Sequence, residues 1–453
     1  MWPRFHGAEH QLENTLAGAT SPYLRSAAQQ PVAWQEWGPA AFRLAERLDR
    51  PIWLDIGAVW CHWCHVMDRE SYEDSAIAAL INAAFVPVKV DRDERPDIDG
   101  RYQAAHQALN GRGGGWPLTM FLTPSGEPFA GGTYFPPDGR GGLPGLRQLA
   151  PRVAAAYRER RDEVADLARR VRAQLAAVRA NAFAAGELDE RLPAVIAGQL
   201  RTEFDTVFGG LGQGEGPKFP NGEAIRLALA GGFLTDDDAL MRAGLLTLDA
   251  YARSGMRDHV NGGFFRYGVN RRLTVPHFEK MDYVQGALLA AYLDAYRLTG
   301  REHYAAVARD IRRYVDGTLS DRGRGGFYAH QDADVSLDDD GSYYTWSLAQ
   351  LQSAVPPDGA EALRRYYDIE SAGEMREDPS QNVLRIARSP LEVARALGIS
   401  ARAAQERIVA GTGLLAQARQ SERAPFIEQT VYTDRNGMMI AAYLDAYETL
   451  GDT

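Results

Sequence analysis

One stretch decides the fold of the first third of the chain: Pro51-Ile52-Trp53-Leu54-Asp55-Ile56-Gly57-Ala58-Val59-Trp60-Cys61-His62-Trp63-Cys64. Its first six residues are a nearly continuous apolar run, which predicts a buried strand, and residues 64 to about 85 show helical spacing. The two cysteines therefore lie where a strand ends and a helix begins. Amide groups at a helix start stabilise a thiolate and lower its pKa, so we predict Cys61 as the nucleophile. Cys64, one turn further on and more buried, is the predicted resolving thiol.

Other residues near this dithiol have predicted roles. Asp55 comes six residues before Cys61, where a buried carboxylate can accept the proton of Cys64. His62, if protonated, would stabilise the thiolate and make the pair more oxidising. Trp116-Pro117 stands directly before another apolar run. A dithiol after a strand, an acid upstream of it and this X-Pro step together resemble the thioredoxin fold.

The resemblance to the thioredoxin fold implies a geometry for Trp116 and Pro117. In that fold the X-Pro bond is cis and faces the dithiol, so we predict a cis Trp116–Pro117 bond. Pro117 is expected to shape the groove for a protein disulfide or thiol substrate, and Trp116 and His62 to contact that substrate.

The neighbouring apolar runs extend this interpretation. Val86-Pro87-Val88-Lys89-Val90 predicts a second strand, a helix follows to about residue 110, and Leu118-Thr119-Met120-Phe121-Leu122 predicts a third strand. After a turn at 123–126, residues 129–135 predict an antiparallel partner. Strands that alternate with helices indicate an α/β domain, and the closing hairpin indicates a mixed sheet.

Three other interpretations of the cysteine pair stay open. Cys-His-Trp-Cys-His at 61–65 fits the pattern of covalent c-type haem attachment, which is usual in exported helical domains. Cys61, Cys64 and His65 could contribute to a zinc site, although a fourth ligand is not obvious. The pair could also be a vestigial dithiol on a binding domain. A redox-competent dithiol is favoured, with no metal and no cofactor.

The second half of the chain shows helical periodicity and internal repeats. A long helix over 147–182, rich in Ala and Arg, is predicted as a connector. Loops with a Gly-Gly pair next to an aromatic residue, here called Gly-Gly-aromatic loops, recur at 208–210, 262–264 and 325–327. The pattern Leu-Asp-Ala-Tyr-x-x-x-Gly occurs at 248–255, 293–300 and 444–451, with spacings of 45 and 151 residues. We interpret these spacings as one and three helical hairpins of about 50 residues each. Each copy of the pattern is expected to end a helix at its glycine.

A closed ring of six such hairpins would need about 300 residues, on the basis of that unit length. Residues 192–453 supply 262. We therefore expect an open ring, or a shortened form of a longer protein.

Longer strings carry a more specific resemblance over nearly the whole chain. The chain is similar to the spermatogenesis-associated thioredoxin-domain family, whose bacterial members are called thioredoxin domain-containing or YyaL-like proteins. The strings are residues 14–37, Cys-His-Trp-Cys-His-Val-Met at 61–67, Val-Asp-Arg-Asp-Glu-Arg-Pro-Asp at 90–97, Gly-Gly-Trp-Pro at 114–117, Gly-Gly-Thr-Tyr-Phe-Pro-Pro at 131–137, Pro-Lys-Phe-Pro at 217–220, Val-Pro-His-Phe-Glu-Lys-Met at 275–281 and Asp-Ala-Asp at 332–334.

This resemblance implies an α/β thioredoxin-like domain followed by an all-α (α/α)6 toroid, here incomplete, of the six-hairpin glycosidase or acylglucosamine-epimerase type. The expected domains are 1–150, a helical connector at 151–190 and the toroid at 191–453. Two segments depart from the family pattern: Asp-Tyr-Val-Gln-Gly at 282–286 and Asp-Arg-Asn-Gly at 434–437. Both departures argue against catalysis in the toroid.

A second candidate site lies in the predicted toroid loops, where aromatic and acidic residues suit a sugar. Glycoside hydrolysis needs two carboxylates, for which Glu279 and Asp332 or Asp334 are available. Sugar epimerisation needs an acid and a base near pH 7, which His277 and His330 could supply. Lys280 is expected beside them in the sugar-binding group. Structural roles for all of these residues are the alternative.

Composition excludes several classes of protein. The chain has 453 residues, a formal charge of −10 and two cysteines, so it offers neither a basic surface for nucleic acid nor a disulfide scaffold. No run approaches the ~18 apolar residues of a membrane span, and residues 1–15 lack the apolar core of a signal peptide.

We expect a cytoplasmic protein that exchanges dithiols and disulfides. The alternatives are a carbohydrate-active hydrolase, epimerase or isomerase, and a non-catalytic sugar- or protein-binding module.

Overall fold

Five strands form one mixed sheet in the first half of the chain. The computed structural model describes residues 12–182, 192–337, 339 and 341–451, and it divides the chain into two units, Met1–Gly186 and Glu187–Thr453. Strand β3 runs parallel to β1 and β2, and β4 runs antiparallel to β2 and β5, in the order β1-β3-β2-β4-β5. The strands are β1 (Gln35–Glu36), β2 (Ile52–Gly57), β3 (Val86–Asp91), β4 (Leu118–Leu122) and β5 (Pro128–Gly132).

Helices pack on this sheet and bury both of its faces. Every residue of β2, β3 and β4 is buried, which explains why their sequences are nearly continuous apolar runs. The helices of the first unit are α1 (Pro22–Ser26), α2 (Pro39–Leu48), α3 (His62–Met67), α4 (Ser75–Ala84), α5 (Pro96–Asn110), α6 (Leu146–Glu159) and α7 (Arg161–Ala182).

Side chains along β2 point alternately to the two faces of the sheet, so only every second side chain lies on the face of the dithiol. Leu54 and its neighbours two residues away pack into a core with α2, α5 and α7. Trp53 lies on the other face, where its ring packs edge-on against Phe85 and Phe121. Because successive strand residues face opposite sides, Asp55 lies on the same face as Trp53.

The helices of the first unit differ from the sequence prediction in two places. The predicted helix over 64–85 is interrupted by a π-helical turn at Asp68–Tyr72, and α4 starts afresh where Asp74 accepts the amides of Ala76 and Ile77. The predicted helix over 147–182 breaks at Arg160 into α6 and α7. Val171 of α7 is buried in the core of the sheet, so these helices complete the first unit and do not form a separate connector.

The second unit is built of helices joined by two-residue strands. Helix α11 packs against α9, α12 and α17, whereas α13 to α16 enclose a core of their own. The helices are α8 (Leu192–Glu203), α9 (Gly222–Thr235), α10 (Asp238–Arg253), α11 (Asp282–Thr299), α12 (Glu302–Tyr314), α13 (Leu348–Ala354), α14 (Pro357–Tyr367), α15 (Pro390–Leu397), α16 (Ala401–Gln420) and α17 (Thr433–Leu450). The strands are β6 (Tyr267–Gly268), β7 (Pro276–His277), β8 (Lys280–Met281), β9 (His330–Gln331), β10 (Trp346–Ser347), β11 (Gln381–Asn382) and β12 (Ile427–Glu428).

The Leu-Asp-Ala-Tyr repeats lie on α10, α11 and α17. Gly300 and Gly451 end α11 and α17 in the left-handed conformation, as predicted. Gly255 after α10 is different: a Cβ there would stand 2.2 Å from the carbonyl oxygen of Thr274, so this glycine permits a close approach of two chain segments. The copy at 248–255 therefore keeps its glycine for a separate reason.

The spacing of 151 residues does not correspond to three hairpins in a row. Helices α11 and α17 pack directly against each other, and Arg297 donates to Asp445 across that contact. In the same way Arg226 of α9 donates to Asp294 of α11. Helices α9, α11 and α17 are thus successive members of one series, and α13 to α16 are inserted between the last two. No helix among the described residues is long and apolar enough to cross a membrane.

Candidate functional site

Cys61 and Cys64 form a disulfide at the start of α3. Cys61 is the N-cap residue of this helix, and its Sγ accepts the backbone N–H of Cys64 at 3.1 Å. Cys61 is 4% exposed and Cys64 is 2% exposed, so the predicted difference in burial is slight. In this oxidised state neither sulfur is a thiolate ligand, and no three His, Cys, Asp or Glu side chains of the described part of the chain cluster as a metal site requires.

Aromatic side chains next to the two cysteines in the sequence pack against other rings of the first unit. Trp63 is 48% exposed, and its ring lies 5.2 Å from that of Tyr134. His62 is half-buried beside Trp63. The rings of Trp60 and Trp116 are 5.5 Å apart, so the residue before Pro117 packs against the residue before Cys61. The predicted cis Trp116–Pro117 bond is confirmed.

An acidic segment after β3 orients the two tryptophans. Trp60 donates its indole N–H to Asp93 at 2.8 Å, and Trp116 donates to Asp99 at 2.9 Å. Arg92 binds both carboxylates and lies over both rings. In the sequence this segment shows only the family resemblance, and its role of holding the rim of the site depends on contacts with Trp60 and Trp116 that no local pattern indicates.

Behind Cys64 a buried network of charges surrounds Asp55. The ammonium group of Lys89 lies 2.8 Å from Asp55 and 2.9 Å from Asp68, and Tyr72 donates to Asp55 at 3.2 Å. Burial raises the pKa of Asp55, and Lys89 only partly opposes that rise. Burial acts to lower the pKa of Lys89, but the two carboxylates outweigh it and raise that pKa. Asp55 therefore lies in a buried network whose other members, Lys89, Asp68 and Tyr72, the local pattern does not show. Its role as a proton acceptor stays a prediction.

In the second unit the segments 280–281 and 330–331, which lie among the predicted sugar-binding residues, are neighbouring strands. Strand β9 pairs with β8 and β12, which places His330 opposite Met281 and Glu428. His330 itself is fully buried. Asp332 and Asp334 accept the backbone N–H groups of Ala333 and Gly341, so their carboxylates support the loop.

Lys280 is not at a binding surface, contrary to the prediction. It is fully buried and donates to Asp258 at 2.6 Å and to the carbonyl of Gly262 at 2.8 Å. Burial lowers its pKa to about 8, although Asp258 opposes this. Arg419 holds the same carboxylate at 2.8 Å. Lys280 therefore stabilises the loop that contains Asp258 and Gly262.

The same arrangement recurs at Lys218, which donates to Asp205 and to the carbonyl of Gly209. Both lysines secure an Asp-x-x-x-Gly-Gly loop, which is the Gly-Gly-aromatic repeat with its aspartate included. The chain has three lysines in all, and Lys89, Lys218 and Lys280 are each at most 2% exposed and paired with aspartate.

Glu279 and His277 lie at the end of an aromatic stack. The ring of His277 stacks on Tyr267 at 4.6 Å, and Tyr267 stacks on Phe219 at 4.7 Å. Glu279 is buried 3.7 Å from His277 and 3.4 Å from Arg266. Burial acts to raise the pKa of Glu279, but His277 and Arg266 outweigh it and lower the pKa to about 2. Glu279 is thus ionised near pH 7 and is not suited to be the general acid of a glycosidase.

The two departures from the family pattern have structural roles. Gln285 accepts the N–H of Phe264 at 2.8 Å and donates to its carbonyl at 2.7 Å. Asn436 makes the same two bonds with Phe327. Each side-chain amide fixes a Gly-Gly-aromatic loop to a helix, a role that the sequence pattern does not indicate.

Comparison with known proteins identifies relatives. Residues 13–176 match a family model named Thioredox_DsbH and described as a protein of unknown function, DUF255. Spermatogenesis-associated protein 20 of Homo sapiens is 34% identical over 97% of this chain and 59% of its own length. The Mus musculus protein of the same name is 33% identical over 97% of this chain and 58% of its own length. The chain thus spans about three fifths of the length of these relatives.

Solved structures show weaker similarity. A DsbH oxidoreductase has a TM-score of 0.22 and 18% identity, covering 28% of this chain and 85% of that one. A sugar epimerase from a ruminal bacterium has a TM-score of 0.28 and 12% identity, covering 57% and 79%. Cellobiose 2-epimerase from Spirochaeta thermophila has a TM-score of 0.27 and 14% identity, covering 58% and 81%. Scores this low support no conclusion about the activity of this chain.

Proposed function

This chain belongs to the spermatogenesis-associated thioredoxin-domain family, and we propose that its first unit exchanges dithiols and disulfides with protein or small thiol substrates. One observation carries the proposal: Cys61 and Cys64 are bonded to each other at the start of α3, with Asp55 buried behind them. A cytoplasmic location, expected from the sequence, is part of the proposal.

In the reduced protein, Cys61 attacks a substrate disulfide as a thiolate. The N–H of Cys64, which already points at the Sγ of Cys61, stabilises that negative charge. The new bond joins Cys61 to one substrate sulfur, and the other substrate sulfur leaves as a thiolate. Cys64 then attacks Cys61, closes the internal disulfide and releases the second substrate thiolate, while its own proton goes to the Asp55 network. The reverse sequence oxidises a substrate dithiol.

The rim of the site favours a peptide substrate with apolar side chains. Trp63 is half exposed next to Tyr134, while the disulfide beneath is nearly buried. The hydroxyl of Tyr134 donates to Glu70 at 2.7 Å, which fixes the ring in place. Large rigid rings beside a reactive sulfur provide apolar contact at low entropic cost.

Exchange kinetics of the reduced full chain with a coloured disulfide reagent test this function. We expect Cys61→Ser to abolish release of the coloured thiolate. Cys64→Ser should still attack but should stop at a mixed disulfide that mass spectrometry detects. An exchange rate that Cys61→Ser leaves unchanged would overturn the proposal.

For the second unit we propose an open α/α toroid with a sugar-binding surface. The series α9, α11 and α17 supports the ring-like arrangement. The stack of Phe219, Tyr267 and His277 supports sugar binding, because Phe219 is 46% exposed and offers an apolar face to a sugar ring.

A panel of mono- and disaccharides tests this second candidate by thermal shift and by turnover. We expect at least one sugar to bind and Phe219→Ala to abolish that binding. Phe233→Ala is the control, because Phe233 is 63% exposed on α9 but belongs to no such stack in the described part of the chain. Neither a shift nor turnover with any sugar would contradict this candidate.

A further inference from the structure

The hydroxyl of Tyr23 lies close to both Asp55 and Cys64. It is fully buried and donates to Asp55 at 3.3 Å. A Cβ built on Gly57 would stand 2.2 Å from this hydroxyl and 2.8 Å from the Sγ of Cys64. The hydroxyl and the sulfur are therefore neighbours across Gly57, and the missing side chain of that glycine leaves room for both.

Several contacts hold Tyr23 in this position. Ser21 caps α1 by accepting the N–H of Leu24 at 3.1 Å, and it donates to Asp91 at the end of β3 at 2.6 Å. The ammonium group of Lys89 lies 4.6 Å from the centre of the Tyr23 ring. The cap of α1 fixes the backbone near Tyr23, and Lys89 contacts one face of the Tyr23 ring. The position of the Tyr23 hydroxyl therefore does not depend on Asp55 alone.

Charged and titratable groups face this hydroxyl from several elements. Asp55 on β2 is its bonding partner, and Lys89 on β3 links Asp55 to Asp68. Burial, together with the charge of Asp55, keeps the pKa of Tyr23 well above its usual range. The hydroxyl therefore keeps its proton at physiological pH and can donate. The other groups around it are Tyr72, Asp91, and His65, whose ring is edge-on to that of Tyr23.

We propose that Tyr23 relays the proton of Cys64 to Asp55 during the resolving step. The inference rests on the proposed exchange function and adds one residue to its mechanism. The Cys64 thiol gives its proton to the Tyr23 oxygen while the Tyr23 hydroxyl gives its own to the Asp55 carboxylate. The electron pair left on Cys64 forms the bond to Cys61, and the substrate sulfur leaves with the pair of the broken bond. No tyrosinate forms, and one proton moves from sulfur to carboxylate.

Single-turnover exchange with one equivalent of dithiobis-nitrobenzoate separates the steps in the reduced full chain. The first release of coloured thiolate reports attack by Cys61, and the second reports resolution by Cys64. We expect Tyr23→Phe to leave the first release unchanged and to slow the second about tenfold or more at neutral pH. The difference should vanish above about pH 9, where the thiol ionises without help.

Tyr102→Phe is the matched control, because Tyr102 is buried in the core on the opposite face of the sheet from Asp55 and donates its hydroxyl to the carbonyl of Gly126 at 2.8 Å. It loses a similar hydrogen bond and should change neither release by more than about twofold. In an Asp55→Asn background, Tyr23→Phe should have almost no further effect, since both residues act in one relay.

The solvent isotope effect of the unmodified protein gives a readout that needs no variant. Two protons move in the relay, so deuterium oxide should slow the second release more than the first. An equal effect on both releases, or equal slowing by Tyr23→Phe and Tyr102→Phe at every pH, would overturn the relay. If the unmodified protein gives no release at all, the exchange function itself fails, which is a distinct result.

Discussion

Two buried carboxylates share one cation behind the dithiol. Lys89 lies within 3 Å of Asp55 and of Asp68, and its side chain is fully buried. Removing the cation would leave two acids in a region that water does not reach, and burying an unpaired charge costs several kcal/mol. Asp91, a few residues along the same strand, is a second buried acid with a different consequence.

We predict that Lys89→Met lowers the free energy of unfolding by about 3 kcal/mol. Methionine keeps most of the side-chain volume, so the loss reports the charge. Arg95→Met is the control: its pair with Asp97 is exposed, so that variant should change stability by less than about 1 kcal/mol. Denaturant unfolding at pH 7 measures both, and equal effects would contradict the prediction.

Asp91 makes stability fall as the pH rises. Burial, aided by the charge of Asp93, raises its pKa to about 7 from a usual value near 4. Between these values the folded chain keeps a proton that the unfolded chain releases, so stability is greatest at the acidic end of this window and declines through pH 7. We expect Asp91→Asn to remove this decline and to be more stable above pH 7, by on the order of 3 kcal/mol. Unfolding curves from pH 4 to 8 test this, and an unchanged slope for Asp91→Asn would refute it.

At the scale of single residues, the sequence predicts the positions of those residues that a local pattern determines. Cys61 and Asp55 follow from one strand and one helix start. Lys89 and Tyr23 come from other segments, and their meeting with Asp55 depends on packing that no single segment encodes. One signal was present: a lysine within the apolar run of β3 must be buried with an acid, because an unpaired ammonium group is not stable there.

At the scale of elements, loops are fixed to helices by a repeated clamp. Gln285 of α11 and Asn436 of α17 each bind both backbone groups of the aromatic residue that follows a Gly-Gly pair. The repeats in the sequence predicted the loops and the helices that carry them. The clamp was not predicted, because the two residues differ in type and appeared only as departures from a family pattern.

We predict that Gln285→Met lowers the free energy of unfolding by about 2–4 kcal/mol, because it leaves the buried N–H and carbonyl of Phe264 without partners. Gln405→Met is the control, since Gln405 is exposed on α16 and should tolerate the change. Thermal unfolding compares the two. A Gln285 variant as stable as its control would show that the clamp contributes nothing.

The breaks in helices were missed for a related reason. Helical spacing continues through 64–85, but Asp74 caps a new helix and Asp68 is held by Lys89. A periodic pattern detects the buried face of a helix and does not detect a capping residue in competition with it. Strands were predicted more closely, since β2, β3 and β4 are buried along their whole length.

For the molecule as a whole, spacing along the sequence misled where an insertion separates neighbours. The copies at 293–300 and 444–451 are 151 residues apart, yet their helices α11 and α17 are in direct contact. Helices α13 to α16 fill the interval with a separate core. Counting hairpins by length therefore overestimates how many units lie between two repeats, because length does not distinguish a repeat from an insertion.

The burial of every lysine has a practical consequence for chemical labelling. An amine-reactive ester should modify the native chain only at its terminal amino group, because Lys89, Lys218 and Lys280 are closed to reagent. Three more labels should appear on unfolding, and mass spectrometry of peptides from a denaturant series would record the order. Label on any of the three under native conditions would contradict this. Lys89 reports opening of the first unit and the other two report the second, so the protein carries its own probes of local unfolding.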